Sequence, residues 1–206
     1  AGYIAKEKFN IPIKKLIVAT NKNNILDRFF RTGIYKKDKV FSTISPSMDI
    51  QIASNFERLL YDITNESGEK VSEFMNSFKE KGVIKVEKKH YERTKENFVS
   101  FSVNEADTKK SIRNTYNKFN MVIDPHTAVG LEASGKYLDE YPNDIVVTLA
   151  TAHPSKFSQS VNSILGFDPN LPFGYKNILN LKENYQVINK SYNLVKNYIL
   201  KNATNI

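Results

Sequence analysis

Two side chains that can do chemistry stand close together at the start of a predicted helix. Thr151 carries a hydroxyl and His153 an imidazole, and Pro154 follows as a residue that favours the first turn of a helix. The apolar, β-branched run 145–149 predicts a strand, and the apolar periodicity of 154–165 predicts a helix. Because α/β proteins bind ligands where the carboxyl end of a strand turns into a helix, this turn is predicted to line a site.

The other two histidines lie in different settings. His126 follows a short strand predicted at 121–123 and stands at a helix start, where it serves either as a turn residue or in a site. His90 belongs to the charged stretch 85–90, which predicts a solvated surface loop. The sequence holds no histidine–carboxylate pair with the spacing of H-E-x-x-H, and no P-loop, G-x-G-x-x-G or G-x-S-x-G motif. A metal site is therefore not predicted.

The composition narrows the class of protein. The 206 residues, 40% of them apolar and 12% aromatic, are enough for one domain, or a domain and a half, with a sizeable core. Cysteine is absent, which excludes disulfides, thiolate metal sites and a cysteine nucleophile. No apolar run is long enough to span a membrane, and residues 1–6 show no signal-peptide pattern. We therefore expect a cytoplasmic protein without a membrane partner.

The formal net charge of +8 raises the question of nucleic-acid binding. Phosphate recognition relies on arginine forks, but arginine is scarce here and lysine supplies most of the positive charge. The densest basic run, 85–90, is interrupted by Glu87, and basic and aromatic residues do not interleave as in RNA-binding sheets. A lysine-rich solvated surface explains the charge better, so a nucleic-acid partner is not expected.

Strand and helix patterns alternate along the chain, which predicts an α/β fold with a mostly parallel sheet covered by helices. The first strand, 16–19, has no strand partner nearby in the sequence and is predicted to be an unpaired remnant of a larger sheet. Further strands are predicted at 98–103, 121–123 and 145–149. Helices are predicted at 25–31, 55–63, 71–82, 104–119, 127–141 and 154–165, with a closing amphipathic helix over 181–199.

Five segments of the chain, taken in order, resemble sequence patterns of the threonine synthase family. One match alone would be weak, but the shared order of all five argues against chance. The segments are AGYIAK at 1–6, IPIKKLIVATN at 11–21, SPSMDIQ at 45–51 with SNFER at 54–58, DPHTAVG at 124–130, and TAHPSKF at 151–157.

This resemblance implies a fold-type-II pyridoxal-phosphate protein similar to the β-subunit of tryptophan synthase. Residues 35–206 would then form the C-terminal portion of the large domain with its closing helix, and residues 1–34 a remnant of the small domain. The family converts O-phosphohomoserine and water into threonine and phosphate, a step of threonine biosynthesis, with pyridoxal phosphate as cofactor. The substrate implied for this chain is therefore a small molecule.

The resemblance also assigns residues to the cofactor. Thr151 matches the position whose neutral hydroxyl faces the pyridine nitrogen, and Asn21 and Asn23 lie at a strand-end turn that lines the cofactor site. The Schiff-base lysine and the phosphate-binding loop of the family have no match in this sequence, so no catalytic residue is assigned. Lys79 lies in a segment that superficially resembles the lysine motif, but it falls on the wrong side of the matched segments and off the apolar face of its helix.

Further residues of the matched segments are candidates for the substrate side of the site. For the two histidines among them, a role in chemistry and a role in holding a turn both stay open. The candidates are Ser47, Asp49, His126, Thr127 and His153.

Three interpretations of function follow. The favoured one is the C-terminal part of a threonine synthase-like protein, from a split gene, a decayed gene or an excised fragment, inactive alone because the lysine and phosphate loop are missing, with a separately encoded N-terminal half as its candidate partner. The second is a non-catalytic interaction protein that keeps the scaffold and binds a partner along the unpaired edge of strand 16–19. The third, a basic nucleic-acid binder, is favoured by the net charge only.

Overall fold

A computed structural model of the protein describes residues 1–203. They divide into two compact parts, one of residues 1–170 and one that begins at residue 171. The first part contains the buried apolar core, and in it helices pack against a parallel pair of strands. The α/β class predicted from the sequence is therefore confirmed. No helix of residues 1–203 is both long and apolar enough to cross a membrane.

Helices and short strands alternate along the described chain. Single turns of 3-10 helix lie at Pro46–Met48, Pro154–Phe157 and Ile178–Asn180. The other elements are α1 (Gly2–Glu7), β1 (Leu16–Thr20), α2 (Ile25–Thr32), β2 (Ile34–Lys36), α3 (Phe56–Ile63), α4 (Gly68–Lys81), β3 (Val83–Lys85), α5 (Lys88–Asn97), β4 (Phe98–Ser102), α6 (Glu105–Phe119), α7 (Pro125–Glu140), α8 (Ser158–Leu165) and α9 (Tyr192–Asn202).

The first strand is paired, which corrects the prediction of an unpaired remnant. β1 runs parallel to β4, in a register that places Leu16 opposite Phe98 and Thr20 opposite Ser102. Parallel strands need a long crossover connection, so the partner of β1 lies far along the sequence, where local patterns do not reveal it. α7 covers this pair, because Val129 and Ala133 pack against Ile17 and neighbouring side chains of the two strands.

The chain between β1 and β4 forms a body with its own aromatic core. Phe29 of α2, Phe56 of α3 and Phe78 of α4 pack with Tyr35 of β2, and the rings of Tyr35 and Phe56 stack with centroids 4.3 Å apart. β2 pairs antiparallel with β3, and each strand has three residues. The sequence does not predict this pair, because three residues are too few to show a period.

Several helix ends follow the local sequence signals. Gly33 and Gly82 end α2 and α4 with φ angles of +73° and +68°, a backbone conformation that glycine adopts without steric cost. The side chain of Asn104 accepts a hydrogen bond from the backbone N–H of Asp107 and so caps α6. The helices predicted at 25–31, 55–63, 71–82, 104–119 and 127–141 are thus confirmed within a few residues.

The strand predicted at 145–149 is not formed. The segment has no regular secondary structure and pairs with no strand of the described residues, and Ile145, Val147 and Leu149 are 95%, 81% and 69% exposed. Its other face is held by α7, where the hydroxyl oxygens of Thr148 and Ser134 lie 2.8 Å apart. The β-branched alternation is real, but a strand needs a hydrogen-bonded neighbour as well as propensity.

His90 is buried, which corrects the prediction of a solvated surface loop. The residue lies on α5 and is 3% exposed, and Thr94, four residues later on the same face, is 1% exposed. The lysines and glutamates around them give the stretch a charged appearance that hides a narrow buried stripe. Neither ring nitrogen of His90 has a hydrogen-bond partner among the described residues.

The predicted strand at 121–123 is also wrong. Residues 121–123 form an irregular loop in which Ile123 packs with Ile112 of α6 and Ile164 of α8. Within this run Ile123 is buried, whereas Met121 is 56% exposed. Phe119 belongs to the last turn of α6 and is 63% exposed, because the apolar face of the helix is covered only nearer its middle.

The last two predicted helices are shorter than expected. The 154–165 helix begins as a 3-10 turn and becomes α-helical at Ser158. The closing helix covers 192–202 only, while 181–191 is irregular and Leu181 and Tyr185 are exposed. Residues 192–202 are helical although none of them is buried, so burial does not distinguish the two stretches.

We expect Gly130→Ala to stabilise the protein less than Gly135→Ala does, because a Cβ at Gly130 would lie 3.2 Å from the methyl carbon of Thr148, which would have to shift by a few tenths of an ångström. Both changes gain about 0.5–1 kcal/mol of helix propensity, but crowding at Gly130 offsets about as much, so the free energy of unfolding measured by urea denaturation should change little for Gly130→Ala. Gly135→Ala is the matched control, because Gly135 lies in the same helix with open space around it, and it should stabilise by about 0.5–1 kcal/mol. Equal effects would contradict the close packing.

Candidate functional site

The predicted site residues lie on segments that hydrogen bonds join into one region beside the carboxyl end of β1 and the amino end of α7. Side chains after β1 bind residues 41–49, here called the 41–49 loop. This loop in turn contacts the first turn of α7, which contacts the turn at 151. The segments carry Asn21 and Asn23, Ser47 and Asp49, His126 and Thr127, and Thr151 and His153, respectively.

Asn21 and Asn23 are buried, and their amides hold the 41–49 loop. Nδ2 of Asn21 donates to Oδ1 of Asp49 at 2.7 Å and to Oγ1 of Thr43 at 2.8 Å. Nδ2 of Asn23 donates to Oδ1 of Asp49 at 2.9 Å, and Oδ1 of Asn23 accepts from the backbone N–H of Phe41 at 2.8 Å. The second oxygen of Asp49 accepts from the backbone N–H of Thr43 at 2.8 Å. Any direct contact of these amides with a ligand would have to replace one of these bonds.

Asp124 organises the amino end of α7. The residue is fully buried, and its Oδ1 accepts from the backbone N–H of His126 at 2.9 Å and lies 2.8 Å from Nδ1 of the same residue. Oδ2 accepts from the Thr127 hydroxyl in a short hydrogen bond and from the Thr127 backbone N–H at 3.4 Å. Burial works to raise the pKa of Asp124, but the hydrogen bonds from His126 and Thr127 outweigh it and hold the pKa below its ordinary value.

His126 links α7 to the 41–49 loop. Its Nε2 accepts a hydrogen bond from the backbone N–H of Ser47 at 3.2 Å, and its side chain is 8% exposed. The ring packs against Phe157, with the centroids 4.6 Å apart. Ser47 is exposed. The backbone of Ser47 therefore fixes the loop, while the Ser47 hydroxyl is accessible to solvent.

Thr127 links α7 to the turn at Thr151. The backbone N–H of Thr151 donates to Oγ1 of Thr127 at 3.3 Å. Thr127 is 7% exposed, whereas Thr151 is exposed, and its hydroxyl makes no hydrogen bond to another residue of the described chain. The structure therefore fixes the backbone of Thr151 and leaves its hydroxyl accessible.

His153 is not part of this network. It is exposed and stands before the 3-10 turn that starts at Pro154, where its Nδ1 accepts from the backbone N–H of Ser155 at 3.3 Å. Of the residues predicted for the site, it is the one whose bonds stay within its own turn.

The sequence reasoning missed Asp124, although a signal was present. An aspartate directly before a proline and an apolar helix is typical of a helix N-cap, in which a carboxylate accepts from the first free backbone N–H groups. The same cap brings the carboxylate next to the side chains two and three residues later. Thr43 was missed as well, and only the folded loop shows its contact with Asp49.

Two solved structures are similar to this chain over almost its whole length. The pyridoxal-phosphate-bound threonine synthase of Brucella melitensis superposes with a TM-score of 0.84 and 33% sequence identity, over 96% of this chain and 42% of that one. The threonine synthase of yeast superposes with a TM-score of 0.82 and 38% identity, over 97% of this chain and 44% of that one. The fold is therefore that of the fold-type-II pyridoxal-phosphate enzymes.

Within that class the sequence comparisons are specific. Residues 127–199 match the family described as threonine synthase, C-terminal. The threonine synthase of Saccharomyces cerevisiae is 38% identical over 97% of this chain and 43% of its own length. That of Pseudomonas aeruginosa is 37% identical over 91% of this chain and 40% of its own length. The chain belongs to the threonine synthase family and corresponds to its C-terminal part, spanning about two fifths of the length of these relatives.

We expect Asn21→Ala to lower the free energy of unfolding by about 2 kcal/mol, because it leaves the buried Asn23 backbone N–H without its acceptor and removes one of the donors to the Asp49 carboxylate. Urea denaturation measures the loss. Asn24→Ala is the control, since the Asn24 side chain makes no capping hydrogen bond to α2, and it should change stability by less than about 0.5 kcal/mol. If both substitutions cost the same, the Asn21 network does not stabilise the loop.

We expect Asp124 to contribute to acid sensitivity. Its pKa is lower in the folded protein than in the unfolded chain, so its stabilisation is present above the unfolded pKa, near 4, and is lost as the pH falls through the folded pKa. Asp124→Asn should therefore make the fall in unfolding free energy between about pH 5 and 3 shallower, by up to about 1.4 kcal/mol per pH unit. Asp139→Asn, an exposed change on α7, should keep the wild-type slope. Parallel slopes for wild type and Asp124→Asn would disprove this linkage.

Proposed function

We propose that this chain supplies the C-terminal part of an active site that turns O-phosphohomoserine and water into threonine and phosphate. The observation that carries the proposal is the arrangement at Thr151, whose backbone is held by Thr127 while its hydroxyl stays accessible. The joining of the other matched segments to this turn, through α7 and the 41–49 loop, supports the same function.

The residues at this place fit pyridoxal phosphate. The cofactor supplies an electron sink for negative charge that develops on the substrate carbons next to it. Thr151 would hold the pyridine nitrogen with a neutral hydroxyl. Asn21 and Asn23 would support the site indirectly, because their side-chain amides bind Asp49 and so fix the conformation of the 41–49 loop.

The substrate-side candidates divide by exposure. Ser47 and His153 are exposed, so we propose that they contact the substrate directly. Asp49, His126 and Thr127 have their polar groups paired inside the protein, and we propose that they position the other two segments.

Two further predictions stay predictions: a cytoplasmic location, and the division of the chain into residues 1–34 and 35–206. β1 lies before that division and β4 after it, and the two strands pair with each other.

We further propose that the chain works only together with the N-terminal part of the threonine synthase fold, supplied by the same polypeptide or by a separate one. The lysine and the phosphate loop expected from the family have no match here. Ile145, Val147 and Leu149 present an exposed apolar row, which in a helix-covered sheet packs against another layer, and the backbone of this segment pairs with no strand of the described residues. A parallel sheet of two strands is also smaller than parallel sheets usually are.

The test is reconstitution with the N-terminal part of the yeast enzyme that this chain does not cover, followed by phosphate release from O-phosphohomoserine. Thr151→Val should cut the turnover number by roughly tenfold, the effect of losing a hydrogen bond worth about 1.4 kcal/mol, with an unchanged melting temperature. Thr151→Ser keeps the hydroxyl and should retain most of the turnover. Wild-type turnover for Thr151→Val would exclude the role given to Thr151. A complex that forms but never turns over would favour a non-catalytic interaction protein instead.

A second test concerns the chain alone. After addition of pyridoxal phosphate and borohydride reduction, peptide mapping should find no lysine that is labelled in preference to the others. The exposed Lys79 should react no more than other surface lysines, and Lys79→Arg should leave the visible absorption unchanged. Specific labelling of one lysine would mean that the chain carries its own cofactor lysine, and the need for an N-terminal part would then be refuted.

A further inference from the structure

We propose that Asp124 is a positioning residue that sets the direction of two hydrogen-bond chains, one to the 41–49 loop and one to the turn at Thr151. Both ends of its carboxylate are used, Oδ1 toward His126 and Oδ2 toward Thr127. The bearing of this arrangement on catalysis rests on the function proposed above, but the direction of the bonds follows from the chemistry of the groups alone.

The first chain fixes the tautomer of His126. A backbone N–H can only donate, so Nε2 of His126 must carry a lone pair to accept from Ser47 at 3.2 Å. The proton of the neutral ring is then on Nδ1, where it points to Oδ1 of Asp124 at 2.8 Å. The carboxylate favours this proton position because it can only accept. An Nε2–H ring would face the Ser47 N–H with a second donor and would release the loop.

The second chain fixes the rotation of the Thr127 hydroxyl. The hydroxyl hydrogen is directed to Oδ2 of Asp124, which as a carboxylate oxygen cannot donate. The lone pairs of Oγ1 are then free to accept from the backbone N–H of Thr151. One ionised carboxylate thus makes acceptors of two groups, the His126 imidazole and the Thr127 hydroxyl, that can also act as donors.

The two chains end at the two segments that carry exposed candidate side chains. The first ends at the backbone of Ser47 and the second at the backbone of Thr151. Both chains start at the same buried carboxylate. The 41–49 loop and the turn at Thr151 are therefore held in fixed positions relative to each other through the start of α7. Asp124 would therefore act on substrate and cofactor only through His126 and Thr127.

His153 provides an internal comparison. Its Nδ1 accepts from the backbone N–H of Ser155 at 3.3 Å and lies 2.8 Å from the Ser155 hydroxyl, which can donate to it as well, so we expect a neutral ring to carry its proton on Nε2, the opposite tautomer to His126. His90 is the remaining histidine. Neither of its ring nitrogens has a hydrogen-bond partner in the described structure, so no contact selects one tautomer of its ring. The three histidines of the chain therefore sit in three different environments.

The experiment measures ring-nitrogen protonation by two-bond ¹H–¹⁵N correlation spectra of the full chain at neutral pH, with His126→Gln and His153→Gln to assign the signals. We expect His126 with a protonated Nδ1 and an unprotonated Nε2, and His153 with the reverse preference. A His126 ring protonated on Nε2, or on both nitrogens, would overturn the proposal.

Variants separate the two chains. Thr127→Val should shift the Thr151 amide signal and speed its hydrogen exchange while leaving the His126 tautomer unchanged, and Thr127→Ser should restore the Thr151 signal. Asp124→Asn offers one acceptor and one donor in place of two acceptors, so it should break at least one of the chains. Unchanged His126, Ser47 and Thr151 signals in Asp124→Asn would overturn the proposal. Should that variant fail to fold, the wild-type tautomer and the Thr127 pair decide the question.

These readouts need neither cofactor nor turnover, so they separate this inference from the proposed function. An Nδ1–H ring in a chain that never turns over O-phosphohomoserine after reconstitution would leave the positioning role standing and remove the function. An Nε2–H ring in an active reconstituted protein would remove the positioning role and leave the function.

Discussion

The parallel pairing of β1 with β4 is the constraint on which the rest of the fold depends. It requires everything between residues 21 and 97 to leave the sheet and return, and that stretch therefore forms a body with its own aromatic core. The same pairing places the ends of the two strands side by side, where the Ser102 hydroxyl donates to the backbone oxygen of Asn21. Thus the start of α6 and the loop after β1 are fixed relative to each other through the backbone of Asn21.

The candidate site is organised by buried polar groups more than by an apolar pocket. Asp49 and Asp124 are the two anionic centres: Asp49 accepts from Asn21 and Asn23 after β1 and from Thr43 in its own loop, and Asp124 accepts from His126 and Thr127 at the start of its own helix. A buried carboxylate is tolerated when hydrogen bonds replace its hydration, and its cost makes any rearrangement that leaves it unpaired unfavourable. A hydrogen-bonded carboxylate therefore restricts a loop to one conformation, because other conformations would break its bonds. Apolar contacts have no direction and restrict a loop less.

The sequence predicts much of this fold and part of the site. Helix periodicity and end signals are local, so most helices and caps could be located from a few residues each. What depends on distant chain could not: the partner of β1, the three-residue strands β2 and β3, and the failure of 145–149 to pair. The burial of His90 was not predicted, because the two buried residues of α5, four positions apart, stand among charged residues. The matched segments located the site residues, but the division between exposed Ser47 and paired Asp49 required the folded loop.

The exposed row of Ile145, Val147 and Leu149 bears on how the chain behaves before its partner part is present. The β1–β4 pair and α7 are formed by residues that precede the row, whereas the row itself has no covering layer among the described residues. An exposed, uncharged, β-branched segment of this kind favours association with other copies of itself. Pairwise association rises with the square of concentration, while capture by a fixed supply of the covering part rises only linearly. Faster synthesis of the chain without that part would therefore lower the fraction that stays dispersed.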